Sequence, residues 1–155
     1  MKNFPIEHNG KEYWISRSVA SCVVVSTTHC NETYYLVVKR GAKVDVHPNQ
    51  YCFAGGYLDY DETCAECACR ELQEETGLVI DTQYLRLKNI IDNPKHSIRQ
   101  NITFVYHCHI ENGLNLSLSI EDAQEISEVR WVKESEMNNL NWVYKDYLKN
   151  TLCKQ

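Results

Sequence analysis

Between Gly55 and Leu78 the chain runs GGYLDYDETCAECACRELQEETGL, where five glutamates, Glu62, Glu66, Glu71, Glu74 and Glu75, share the stretch with one arginine, Arg70. Like charges at helical spacing repel by roughly 0.2–0.5 kcal/mol per pair. A chain that keeps several such pairs calls for something positive between them. At about 100° per residue, Glu71 and Glu75 lie one helical turn apart and Glu74 falls between them in angle, so three carboxylates can converge over one short patch. Hard oxygen donors of this kind suit Mg²⁺ or Mn²⁺, which commonly bridge protein carboxylates to substrate phosphates. The chemistry this points to is phosphoryl chemistry. Spacing alone fits a solvated acidic helix face equally well.

The flanking residues favour the first reading. Gly55 and Gly56 allow a tight turn or a close backbone approach just ahead of the acidic run. Arg70 can reach Glu62, two turns earlier, or Glu66, one turn earlier, and so hold a neighbouring carboxylate in place. Taken in order, Gly56, Glu62, Arg70-Glu71-Leu72, Glu74-Glu75 and Gly77-Leu78 resemble the signature of the Nudix hydrolases at every defined position.

The resemblance implies an α/β (α+β) Nudix-type α/β/α sandwich over the single domain 1–155, with a mixed β-sheet and the motif as loop, helix and loop. It implies hydrolysis of a nucleoside diphosphate linked to some moiety X, with Mg²⁺ or Mn²⁺ as cofactor. Carried over by position, Glu71, Glu74 and Glu75 are metal ligands, Glu75 foremost. Gly56 or Gly55 supplies a backbone carbonyl, and Glu62 orients Arg70. Glu66 falls where the motif is open and is read as a capping or solvated residue. The resemblance also makes a homodimer the expected assembly.

A diphosphate bridge is anionic and repels a water nucleophile, so in-line attack by an activated water needs that charge neutralised. The general base is sought among Glu121, Asp122, Glu125 and Glu128 in IEDAQEISEVRW, with Glu125 ranked first. For the substrate, Arg40, Lys95, His96 and Arg99 are candidates to meet phosphates. Tyr13, Trp14, Phe53, Tyr57, Tyr60 and Phe104 are candidates to stack on a base, although core or rim is the favoured place for each. ADP-ribose-like compounds, dinucleotides such as NADH, and nucleoside triphosphates fit this reading, with a weak lean to the first. A non-catalytic nucleotide-binding module is the alternative from another class. Isomerisation of an isopentenyl-type diphosphate would want a protonating group such as Cys52.

These residues need elements to hold them. Ser18–Thr27 and Glu32–Arg40 are rich in β-branched residues and form a predicted hairpin; Tyr84–Asp92, Arg99–Ile110 and Val129–Val132 are further predicted strands. Tyr51–Leu58 is a short strand entering the glycine turn. A helix is predicted over Asp61–Thr76, opened by a capping box from Thr63 and Glu66 or from Asp59 and Glu62 and closed by Gly77. Ala65, Ala68, Cys69, Leu72 and Thr76 form its core stripe, with Glu71, Glu74 and Glu75 facing elsewhere. The N-terminal residues are a polar lead with a turn at Asn9-Gly10, and 111–129 is a loop with a short strand in its middle. A second helix is predicted over Asn141–Leu152, with Trp142, Tyr144, Tyr147 and Leu148 on one stripe.

Composition narrows the partners. The 155 residues carry 21 acidic and 16 basic side chains, a formal charge of −5, and the basic residues are scattered. A nucleic-acid polymer is therefore not the expected partner. No window nears the roughly 18 apolar residues of a membrane span, and the first residues lack a secretory apolar core, so the expected location is cytoplasmic. The eight cysteines are expected to be free thiols. Cys64, Cys67 and Cys69 lack zinc-site spacing and are read as packing groups. His107 and His109 share a strand face without a third metal ligand nearby.

Overall fold

A computed structural model describes residues 4–97 and 99–143. Most of the predicted C-terminal helix, including Tyr144, Tyr147 and Leu148, lies outside the described residues. Its first residues are not helical: Trp142 forms a parallel bridge to Tyr51.

The organising strand is β3 (Val19–His29), a run whose β-branched and small side chains are buried on both faces. It pairs with β4 (Glu32–Arg40) through a tight hairpin in which Cys30 and Asn31 take left-handed backbone conformations. On its other side β3 pairs in parallel with β8 (Ile102–His109), which pairs antiparallel with β7 (Arg86–Ile91). β5 (Tyr51–Cys52) and β9 (Ile126–Lys133) add to β4, and β6 (Ala54–Tyr57) adds to β3. The result is a seven-stranded mixed sheet. Its parallel pair requires a crossover, and the crossover holds the helix.

That helix, α1 (Cys64–Thr76), starts three residues later than the sequence suggests. Thr63 is the N-cap, its hydroxyl accepting from the Glu66 N–H while the Glu66 carboxylate accepts from the Thr63 N–H. The alternative cap survives as a turn: Glu62 accepts from the Asp59 N–H at 2.8 Å. Gly77 ends the helix at φ 75°, where a Cβ would also lie 2.1 Å from Ser119 Oγ. Ala68 and Leu72 pack with Val23, Val25, Leu36, Val38 and Cys108 in one core layer. The opposite sheet face carries a second layer from Val24, Val37, Phe53, Val105, Val132, Met137 and Trp142.

Several expectations need correction. Cys67, not Cys69, is buried on α1, and so is Glu75, which the stripe had turned away from the core. The polar lead is a hairpin, β1 (Phe4–His8) and β2 (Lys11–Ile15), turning at Asn9-Gly10. Among the described residues it pairs only with itself and exposes Phe4, Ile6, Trp14 and Ile15, so its strands lacked the alternation that marks a half-buried strand. No strand forms in 111–125; a 3₁₀ turn over Gly113–Asn115 takes its place. Among the described residues no helix is long and apolar enough to cross a membrane.

Candidate active site

Three segments meet at the site: the glycine strand β6, the exposed side of α1 and the loop before β9. β6 runs along the base of the helix because its glycines leave room. A Cβ at Gly55 would lie 2.3 Å from the Ser21 carbonyl, and one at Gly56 would lie 2.3 Å from Glu71 Oε1. The space a side chain would occupy is thus taken by a carboxylate. The loop is held by the carbonyls that the end of a helix leaves unpaired: Ser119 N–H donates to Thr76 O and Glu121 N–H to Glu74 O, both at 3.0 Å. Its far end is fixed just past β4, where the Gly41 N–H donates to the Glu125 carbonyl at 2.7 Å.

This docking brings acids from distant sequence together. Glu71, Glu74, Glu75, Glu121, Asp122 and Glu125 line a recess of about 250 Å³. Glu128 is elsewhere, on β9, accepting from Tyr51 Oη at 2.9 Å and paired with Arg130. Glu75 is 5% exposed and accepts from the Gly55 N–H at 3.0 Å. Burial pushes its carboxyl well above the ordinary range, the Gly55 amide opposes this, and Glu71 and Glu125 add to it. Burial raises Glu71 as well, with Arg70 opposing.

Arg70 is the positive group among the helix acids. Its Nε and Nη2 grip both oxygens of Glu62 at 3.1 and 2.9 Å, the bidentate geometry that only a guanidinium offers. Nη1 reaches Glu71 at 2.8 Å and Glu74 at 3.2 Å, and Nη2 also donates to the Tyr57 carbonyl. Of its two candidate partners Arg70 therefore takes Glu62, and Glu66 is used in the cap. Arg70 thus draws on Glu71 and Glu74 while Glu75 meets the Gly55 amide; all three line the recess, and among the described residues no group of three or more His, Cys, Asp or Glu is drawn together as it would be around a metal ion.

The Arg70 contacts hold the Glu62 carboxyl down to about 2, against an ordinary 4.5. A depressed carboxylate stabilises the fold above its unfolded value and loses that contribution as pH falls through the folded one. Glu62→Gln is therefore expected to melt below the wild type near neutral pH, with the gap closing between pH 4.5 and about 2. A gap that persists unchanged at the acid end of thermal melts would contradict the pairing.

Beside the recess opens a cavity of about 570 Å³, within the range of small-molecule sites. Arg40, Tyr57, Arg70, Glu71, Glu74, Arg99 and Glu125 are among its lining residues, as are His47 and His96. Arg40 donates to the Val46 carbonyl at 2.9 Å. The Arg99 guanidinium lies 5.9 Å from the centre of the Tyr57 ring, with Nη1 3.4 Å from the Tyr57 hydroxyl. Phe53 lines the cavity but is 5% exposed and packs on Trp142 at 5.3 Å between ring centres, so it acts as floor. Tyr13, Trp14 and Tyr60 lie outside the cavity, with Tyr13 and Tyr60 edge to face at 5.7 Å.

The remaining motifs are structural. Cys67 donates to the Tyr57 carbonyl, and burial pushes its thiol up to about 12. Cys30, Cys52, Cys64, Cys67, Cys69 and Cys108 carry free thiols. His107 and His109 both meet Ser26 Oγ, at 2.9 and 3.1 Å.

A mixed sheet, a capped crossover helix with its glycine strand, and carboxylates clustered beside a cavity lined by Arg40, Arg70 and Arg99 define the class. The model of the NUDIX domain matches residues 16–151, and the chain belongs to the Nudix family. It is 24% identical over 120 residues to the nucleoside triphosphatase NudI of Enterobacter sp. (strain 638), covering 72% of this chain and 81% of that protein. The NUDIX domain of Shewanella oneidensis NrtR, solved with ADP ribose, superposes with a TM-score of 0.74 at 18% identity, over 87% of this chain and 86% of that one. A bifunctional NMN adenylyltransferase/ADP ribose pyrophosphatase from Francisella tularensis, solved with AMP and a manganese ion, gives 0.70 at 23% identity. A MutT/nudix family protein of Enterococcus faecalis gives 0.69 at 22% identity over 78% of this chain. The chain spans 41% and 45% of these last two proteins. Such likeness establishes the shared fold.

Proposed function

We propose that this protein is a metal-dependent Nudix pyrophosphohydrolase, cleaving the diphosphate linkage of a nucleoside diphosphate derivative, ADP-ribose-like or a nucleoside triphosphate. The observation that carries the reading is the recess where Glu71, Glu74 and Glu75 face Glu121, Asp122 and Glu125 beside a cavity lined by Arg40 and Arg99. A buried carboxylate such as Glu75, whose described hydrogen bond comes from one backbone amide, is costly unless a cation compensates it.

The residues fit Mg²⁺ or Mn²⁺ by donor type: carboxylates, a backbone carbonyl from Gly55 or Gly56, and the gap at Gly56 into which Glu71 reaches. Glu75, Glu71 and Glu74 would hold the ion, with Arg70 releasing the last two. When bound, such an ion supplies charge neutralisation and a more acidic water. Glu62 keeps Arg70 fixed as its other contacts change. Glu125, which lines both the recess and the cavity, takes the proton of the attacking water. Arg40 and Arg99 hold phosphate oxygens, Tyr57 supports Arg99, and Phe53 closes the floor. Nucleophile and phosphorus are thereby positioned without a covalent enzyme intermediate. A cytoplasmic homodimer completes the reading.

The test is a phosphate-release screen with excess Mg²⁺ or Mn²⁺ and added phosphatase, across ADP-ribose, NADH, diadenosine polyphosphates, sugar nucleotides and ordinary and oxidised nucleoside triphosphates. Metal-dependent cleavage of one class is the expected result; silence from folded protein would count against it. One observation favours the alternative, a nucleotide-binding module without catalysis: Arg70 occupies two of the three helix carboxylates. Binding without turnover in the same screen would select that alternative.

A further inference from the structure

The connection between β7 and β8 brings His96, Ser97 and Arg99 to the cavity; Arg99 meets Tyr57 inside the cavity, and a second hold on the fold comes from outside it. Two local turns shape it. The Asn93 carbonyl accepts from the His96 N–H and its side-chain oxygen from the Lys95 N–H. At the far end the Ser97 carbonyl accepts from the Gln100 N–H and Ser97 Oγ from the Arg99 N–H. The longer-range tie outside the cavity is Arg17, two residues ahead of β3. Its Nε donates to the Gln100 carbonyl, and its Nη2 to the carbonyls of Asp92 at 2.6 Å and Asn101 at 3.3 Å.

One guanidinium thus closes the neck of the connection, joining the end of β7 to the start of β8 and both to the lead into β3. The acceptors lie at strand ends, where the ladder leaves carbonyls to be satisfied by other groups. A planar fork with five donors serves them together; an ammonium on a flexible stem does not. Arg17 is not among the residues lining the cavity, so its loss removes no group that touches the carboxylates or a ligand.

We propose that Arg17 is a positioning residue for substrate affinity, acting through Arg99: it fixes the connection so that Arg99, braced on Tyr57, stands where a substrate phosphate can reach it. This rests on the reading of the cavity as a nucleotide site. Arg17→Ala is expected to raise KM about tenfold, the size of one lost charge-assisted hydrogen bond, while kcat stays within about twofold. Arg17→Lys keeps the charge and loses the fork, and should show most of the same rise.

Because Arg17 works through Arg99, the two changes should not multiply. Arg17→Ala combined with Arg99→Ala should raise KM no more than Arg99→Ala alone, measured as a double-mutant cycle. Multiplying effects would overturn the proposal. Hydrogen exchange of the substrate-free protein gives a reading independent of turnover: amides of 92–97 and 99–101 should exchange faster in Arg17→Ala while those of β3 and α1 keep wild-type rates. Unchanged exchange in 92–97 and 99–101, or faster exchange throughout, would overturn it too. If the wild type cleaves no nucleotide, the enzymatic reading fails, and the exchange measurement still decides whether Arg17 holds the connection.

Discussion

Glu75→Gln will lower turnover by about a thousandfold and at the same time raise the melting temperature of the metal-free protein near neutral pH. The first effect follows from replacing a charged oxygen donor by a neutral amide, a loss of several kcal/mol in stabilising charge at phosphorus. The second follows from burial. The Glu75 carboxyl is raised in the folded state, so above its folded value the protein holds a desolvated charge, and that charge costs stability. The sign reverses the usual carboxylate case: the penalty is present at high pH and disappears as pH falls and the group protonates. Glutamine keeps the shape without the charge, so the gain of the variant over wild type should vanish in acid. Melts at pH 8 and below pH 4.5, with kinetics on the same samples, check both halves. A variant that loses stability at pH 8, or retains near-normal turnover, contradicts the assignment of Glu75 to a metal.

Arg70→Ala should destabilise the metal-free fold by about 1–3 kcal/mol, a range set below that of a fully buried pair because the side chain is 29% exposed. The loss arises from the acids left behind, since Glu62, Glu71 and Glu74 all accept from this one guanidinium. Mg²⁺ can offset the same charge, so it should raise the melting temperature of Arg70→Ala by more than it raises that of wild type. Thermal melts with and without Mg²⁺ decide this. An equal rise in both would mean that cation and arginine do not share the helix carboxylates.

How much of this was legible in the sequence depended on whether a residue's partner was local. Thr63 and Glu66 lie three residues apart and Gly77 ends its own helix, relations set by helical geometry that could be read directly; Arg70 and Glu62 are near enough in sequence to be paired, although Glu62 lies in the turn just ahead of the helix. β3 and β4 announced themselves by dense β-branched runs. The burial of Glu75 could not be read in this way, because it depends on β6 passing beneath the helix, and that depends on two glycines whose neighbours are Ser21 and Glu71. The detailed placing of the helix carboxylates was hidden for a related reason: angular position brings Glu71, Glu74 and Glu75 to one recess but does not say where a flexible arginine draws each side chain. Arg17 went unnoticed because its acceptors are backbone carbonyls more than seventy residues away, and carbonyl acceptors leave no mark in a sequence. The first hairpin was missed because its side chains are exposed on both faces, so no burial pattern was written into it.

The central claim is that the carboxylate recess hydrolyses a nucleotide diphosphate linkage with a divalent cation. The most direct measurement is cleavage of the best panel substrate by the same protein sample, first in excess EDTA and then after Mg²⁺ or Mn²⁺ is restored. Cleavage absent in EDTA and recovered with the metal is the predicted result. A nucleotide that binds with and without metal and is never cleaved would contradict the claim and identify the protein as a binding module built on the same fold.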